Sequence, residues 1–199
     1  PMSQQAILDT IQLEMNQAAL RAGSPRRLIL APGNYGLDYL HEKYPEFHAV
    51  PVVKTSNFIG DTLDMAAAAR FEEVLLVGHV GKLVKVAGGI MNTHSHSADA
   101  RMEVLASNAI RAGAPLECAK EILNASTTDE AIDILEKYQI LQKTMKEILD
   151  RIQFYLNHRS YEQILLGAVI FNNTYGYLGQ TADAEKLITL INAQNNEGQ

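Results

Sequence analysis

Four short apolar runs, each ending in a cluster of small, polar or basic residues, constrain this chain more than any other feature. Arg27-Leu28-Ile29-Leu30-Ala31 stops at PGNYG, Ala49-Val50-Pro51-Val52-Val53 at KTSN, Glu73-Val74-Leu75-Leu76-Val77 at GHVGK, and the run Ile164 to Phe171 at FNNTYG. Runs this short and this rich in Val, Ile and Leu fit strands buried on both faces, and helix-length segments separate the first three. Pro51 lacks the amide hydrogen that a central strand needs, so the second strand is expected near an edge or with a late start. The pattern predicts an α/β fold, a Rossmann-like three-layer αβα architecture with a mostly parallel sheet and a helix-rich second half. In that half, a helix is expected from 98 with Ser97 as its N-cap and Gly113-Ala114-Pro115 as its stop. Thr127 and Glu130 have capping-box spacing, and Leu141 to Tyr155 continue as a long amphipathic helix. A closing helix is expected over Thr181 to Ala193, with residues 193–199 as a frayed tail, so that residues 1–192 form a single α/β domain.

Composition narrows the partners. The 199 residues are 47% hydrophobic and 20% charged, enough to bury one substantial core, and the net charge is −6. That charge argues against nucleic acid or an anionic membrane as partner, so any anionic ligand has to be met by local cations. No apolar run approaches the roughly 18 residues of a membrane span. A single cysteine, Cys118, lies in a helical pattern as a packing residue; it excludes an intrachain disulfide and fits a cytoplasmic location. Pro1-Met2-Ser3 leads straight into a helix-like pattern, and the expectation is a piece of a longer chain.

In an open parallel sheet the carboxyl ends of the strands share one edge, where ligands bind, so the four strand-end segments are expected to converge. Their chemistry is mixed. His94-Ser95-His96 with His79 offers three imidazoles, but no carboxylate or thiolate stands at a zinc spacing; these histidines equally solvate a helix entrance, and no metal site is assigned. GHVGKL is not a phosphate loop: two residues rather than four separate its glycines, and Leu83 stands where Ser or Thr would hold magnesium. There is no G-x-G-x-x-G, and Lys54 ends the second strand where a dinucleotide site places an acid. A G-x-S-x-G nucleophile elbow is absent too. What remains is a glycine-lined, anion-friendly site, or simply polar loops that are exposed.

Taken as blocks, APGNYGLDYL, KTSNFIGDTLDMA and GHVGKLVKVAGGIMNTHSHSADARME resemble the cobalt-precorrin-5B C1-methyltransferase family of anaerobic cobalamin biosynthesis, over roughly residues 28 to 113. The resemblance implies methyl transfer from S-adenosylmethionine to ring carbon C1 of a corrinoid whose cobalt belongs to the substrate. It also implies an additional N-terminal domain, beyond this chain, as a partner. His79 becomes the candidate catalytic residue, and Gly33, Asn34, Gly36 and Gly78 the candidate donor-binding residues. Lys54, Asn57, Gly81, Lys82, Lys85, Gly88, Gly89, His94 and Arg101 become candidates for the carboxylate-edged macrocycle. A non-catalytic corrinoid- or nucleotide-binding domain and a histidine metalloenzyme stay open as rivals, as does a homo-oligomer.

Overall fold

A computed structural model describes residues 2–197, with side chains through residue 193. Strands β1 (Arg27–Ala31), β2 (Val52–Lys54), β3 (Glu73–His79) and β4 (Leu165–Asn172) pair in parallel, while β5 (Gly176–Gln180) pairs antiparallel with β4. Their order across the sheet is β2-β1-β3-β4-β5. Alternate residues point to opposite faces, and both faces are covered. Leu28, Leu30, Val74, Leu76, Ala168 and Ile170 join the larger core with α1 (Gln4–Arg21), α3 (Ile59–Ala68), α4 (Val80–Val86), α5 (Arg101–Arg111), α6 (Leu116–Leu123), α7 (Thr128–Lys137) and α8 (Leu141–Ser160). Ile29, Ala31, Leu75, Val77, Val169 and Phe171 form a smaller core with α2 (Leu37–Lys43), the 3-10 helix Pro45–Ala49 and α9 (Ala182–Glu197). Covering on both sides is why the strands read as unbroken apolar runs, and the three αβα layers are those expected.

The long helix α8 holds this arrangement against β4. Its Met145, Ile148, Leu149, Ile152 and Leu156 are buried at helical spacing, and each such side chain contributes about 2 kcal/mol when taken from water. Cys118 is fully buried within α6, in keeping with packing, and burial pushes its thiol pKa up. β2 begins immediately after Pro51 and lies at the sheet edge. Among the described residues no helix is long and apolar enough to cross a membrane.

The structure corrects four expectations. The antiparallel β5 was not foreseen, so FNNTYG is a hairpin turn; GYLGQ, with two glycines and partial exposure, carries little strand signal and makes an edge. β3 runs on through Gly78 and His79, and α4 starts at the next residue with no intervening loop. α5 begins at Arg101 with Ala100, not Ser97, at its cap. The Lys85 ammonium donates to the carbonyl of Ala98 at 2.8 Å and to that of Thr93 at 3.0 Å, which holds this stretch as a loop packed on α4. Lastly, α9 runs to Glu197, past the Ala193 at which it was expected to end; Gly198 and Gln199 lie outside the described residues.

Candidate active site

The strand order makes the site. From β1 the chain crosses to β2 on one side, and from β3 it passes to β4 on the other, so the carboxyl ends of the adjacent β1 and β3 flank a topological switch point. A cleft of about 690 Å³ opens there. Pro32, Gly33 and Tyr35 line it from the β1 end, His79, Gly81 and Lys82 from the β3 end, and Asn57 from the β2 loop. Thr93, His94, Ser95 and Arg101 close one side, and Thr127, Thr128 and Asp129, opening α7, close another. PGNYG and GHVGK therefore share one hollow.

His79 is the N-cap of α4: its Nδ1 accepts from the amide of Gly81 at 2.9 Å. A neutral imidazole so engaged carries its proton on Nε2, and that atom is buried with no hydrogen-bond partner. Burial lowers the His79 pKa, opposed by the nearby Asp129 carboxylate, so the ring is held neutral at pH 7. The Tyr35 ring meets it edge-to-face at 5.0 Å.

The lysines divide. Lys82 lines the cleft half-buried, with no acid or acceptor partner among the described residues, and burial lowers its pKa. Lys85 also lines the cleft, but it is 3% exposed and donates to the carbonyls of Thr93 at 3.0 Å and Ala98 at 2.8 Å, which straps the loop between α4 and α5 onto α4; burial lowers its pKa too. Lys54 does not line the cleft: its ammonium is engaged by the carbonyl of Gly33 at 3.2 Å and by the Asn34 side chain. Arg101 lines the cleft while paired with Asp99 at 2.9 Å.

The remaining expected residues fall in two groups. Asn57 lines the cleft and accepts from the Thr93 hydroxyl at 3.0 Å, with the Thr93 amide donating to its carbonyl at 2.9 Å, so the 57–60 and 91–94 segments are zipped together. His94 lines it as well, its Nδ1 accepting from the His96 amide at 3.1 Å. Among the described residues, no group of three His, Cys, Asp or Glu is arranged to hold a metal ion. By contrast Asn34, Gly36, Gly78, Gly88 and Gly89 do not line the cleft. Gly36 caps α2 at φ +82°, where a Cβ would lie 2.4 Å from the Phe171 ring. Gly89, at φ +78°, brings the end of α4 against Tyr155, and Gly78 lies against Pro32 and Leu83. These positions serve backbone turns and packing.

Sequence reasoning missed the α7 wall. Thr127 caps α7 through the Glu130 amide at 3.1 Å, and Glu130 returns to the Ser126 amide at 2.8 Å, so the capping box was legible, but not that this helix end meets α4. Thr128 is 4% exposed and its hydroxyl has no partner among the described residues. The Asp129 carboxylate accepts from Asn172 Nδ2 at 2.5 Å, which ties it to the β4–β5 turn; among the described residues it has no cation partner.

Residues 92–182 match the family described as CbiD, C-terminal domain. The cobalt-precorrin-5B C(1)-methyltransferase of Alkaliphilus metalliredigens is 34% identical over 194 residues, which is 98% of this chain and 50% of the relative. Proteins of the same name from Ruminiclostridium cellulolyticum (38% over 173 residues, 87% of this chain and 44% of the relative) and Salmonella arizonae (40% over 138 residues, 69% and 36%) are similar as well. No solved structure matches. The chain spans about half the length of the curated relatives it matches. On the similarity along nearly its whole length, and on the domain match within it, this chain belongs to the cobalt-precorrin-5B C(1)-methyltransferase family.

Proposed function

We propose that this chain supplies the macrocycle-facing cleft of a cytoplasmic methyltransferase that places the methyl group of S-adenosylmethionine on C1 of cobalt-precorrin-5B. The observation that carries this reading is the meeting of Gly33, Tyr35, His79, Gly81 and Lys82 at one switch-point cleft, in a chain whose relatives bear that activity in their names. Cobalt arrives within the substrate. A cleft of about 690 Å³ takes the edge of a broad, flat ring, not all of it, and the remaining half of the relatives' length is proposed to complete the enclosure.

The donor set fits both molecules. Lys82 and Arg101 are cations for peripheral carboxylates, Arg101 after sharing or releasing Asp99. Asp129, uncompensated by any cation, together with the Tyr35 ring offers what a sulfonium requires. A bound donor supplies a methyl group already activated by positive charge on sulfur. The chain's task is then alignment: reacting atoms held about 3 to 3.5 Å apart save more of the barrier than an added base would. Gly33, with nothing within 4 Å of where a Cβ would stand, leaves room for close backbone approach. The neutral His79 presents its Nε2–H as a hydrogen-bond donor to the ring, which polarises it as the methyl group arrives.

Half-length coverage of the relatives favours a second reading, a corrinoid-binding domain that leaves the transfer step to the rest of the protein. Calorimetric titration of this chain and of a full-length relative with S-adenosylmethionine separates the two. Binding by both supports the first reading, and binding by the relative alone supports the second. Single-turnover methylation by the full-length His79→Gln variant at the normal rate would remove His79 from the chemistry.

A further inference from the structure

We infer that the base of the cleft, where the first turns of α4 and α7 meet, is a subsite for a carboxylate held by the Thr128 hydroxyl, the Lys82 ammonium and the first-turn amides of α7. This deepens the proposed function, and depends on it only for the identity of the molecule that carries the carboxylate.

Three observations converge. Thr128 opens a helix of 10 residues and lines the cleft; it is 4% exposed, yet its hydroxyl has no hydrogen-bond partner. A hydroxyl removed from water and left unpaired destabilises the free protein, so a Val of the same shape would serve packing better. Lys82 lines the same hollow with no acid to balance it, although Lys85, one turn along α4, has both its partners supplied. Gly81 stands between: a Cβ there would lie 3.7 Å from the Thr128 hydroxyl and 3.0 Å from His79 Nδ1, so the two helix starts adjoin. Of the first-turn amides of α7, that of Glu130 is taken by the Thr127 hydroxyl, whereas those of Thr128 and Asp129 have no intrahelical acceptor, and the positive end of the helix dipole faces the same place.

Two carboxylates of this turn oppose it: Glu130 does not line the cleft and accepts from the Ser126 amide at 2.8 Å, while Asp129 lines it. Asp129 lies in the same turn, but its Oδ1 is held by Asn172 Nδ2 at 2.5 Å. The side-chain Oδ1 of Asn172 in turn accepts from the amides of Thr174 and Tyr175 at 2.8 and 2.9 Å. The carboxylate is fastened to the β4–β5 turn instead of folding over the amides. The lowered pKa of Lys82 agrees with a cation short of solvation that an incoming carboxylate would relieve.

The test is calorimetric titration of the full chain and of Thr128→Val, Thr128→Ser and Lys82→Gln, with urea midpoints measured on each. The probes are a cobalt corrin with free side-chain carboxylates, the same corrin with those groups as carboxamides, and glutarate. The expected result is that Thr128→Val and Lys82→Gln each bind the carboxylate probes about tenfold or more weakly, with Thr128→Ser near wild type. Thr128→Val should keep or raise the urea midpoint. The carboxamide corrin should bind more weakly than the acid to the wild type and alike to all variants. Wild-type affinity for the carboxylate corrin in both Thr128→Val and Lys82→Gln would overturn the subsite and leave the corrinoid reading standing. Glutarate binding that responds to the variants, with no corrin binding, would keep the subsite and remove the corrinoid reading, whereas binding of neither probe overturns both. Should Thr128→Val fail to fold, Lys82→Gln against Thr128→Ser decides in the same way.

Discussion

Two parts of one sheet edge treat their polar groups in opposite ways. At the ends of β1 and β2, Lys54 gives its ammonium to the Gly33 carbonyl and the Asn34 side chain, so the loop after β1 is closed on itself. At the end of β3 and the start of α7, His79 Nε2 and the Thr128 hydroxyl are buried without partners and Lys82 has no counter-charge. A satisfied network rigidifies and gains little from a ligand, whereas buried donors without acceptors cost stability until something supplies them. The Lys54 network is scaffold that holds Gly33 and Tyr35 at the cleft wall, and the second region is where unmet polar groups make binding energy available. The lysine nearest the wall in sequence terms, Lys85, belongs with the scaffold, because both its contacts are to the backbone of its own loop.

That contrast can be broken at several points. The largest effect is expected from Gly36→Ala in the closed region. Its φ of +82° and a Cβ position 2.4 Å from the Phe171 ring combine backbone strain with overpacking, for a loss of about 3 kcal/mol in urea unfolding. A mild effect would mean that the β1–α2 turn is not rigid scaffold. Lys85→Met should cost about 2 kcal/mol by leaving the Thr93 and Ala98 carbonyls without their donor. Hydrogen exchange at residues 93–98 should rise with it. Lys54→Met is expected to change stability by less than about 1 kcal/mol, since its ammonium is partly solvated, and to leave carboxylate-probe affinity as it was.

The smallest effect is on pH dependence. Burial lowers the pKa of both His79 and His41 from 6.5, so in acid the unfolded chain binds protons before the folded one does. Stability is therefore full above about 6.5 and is lost as pH falls from there through the folded values. His41→Gln and His79→Gln should each flatten that acid slope in urea midpoints measured from pH 7.5 to 5. Only His79→Gln should also change ligand binding, because His41 lies outside the cleft, its ring stacked on His48 at 4.4 Å. A slope unaltered by both would contradict their neutral burial.

Much of this architecture was readable in the residues. The parallel strands followed from apolar runs ending in small and polar clusters, and Thr127 caps α7 as its spacing implies, with Glu130 reaching back to the Ser126 amide in place of that of Thr127. What could not be read were features that depend on distant partners. β5 owes its existence to pairing with β4, not to the propensity of GYLGQ, and Ser97 is not the cap of α5, whose preceding loop is held by a lysine on another helix. The rim residues after β1 and β3 were legible because strand ends in such a sheet share one edge. Thr128 and Asp129 were not, since nothing local says that α7 will lay its start against α4. Glycine is ambiguous for the same reason: Gly33 and Gly81 line the cleft while Gly36 and Gly89 serve turns, and their sequence contexts look alike.

The most direct measurement compares how far a corrin with free carboxylates raises the thermal midpoint of Lys82→Met and of Lys54→Met. With the unspent donors as the binding site, the ligand-induced rise survives in Lys54→Met and vanishes in Lys82→Met, whose ligand-free midpoint is equal to or above that of the wild type. A rise that survives in Lys82→Met and vanishes in Lys54→Met would place binding at the closed region and contradict the account.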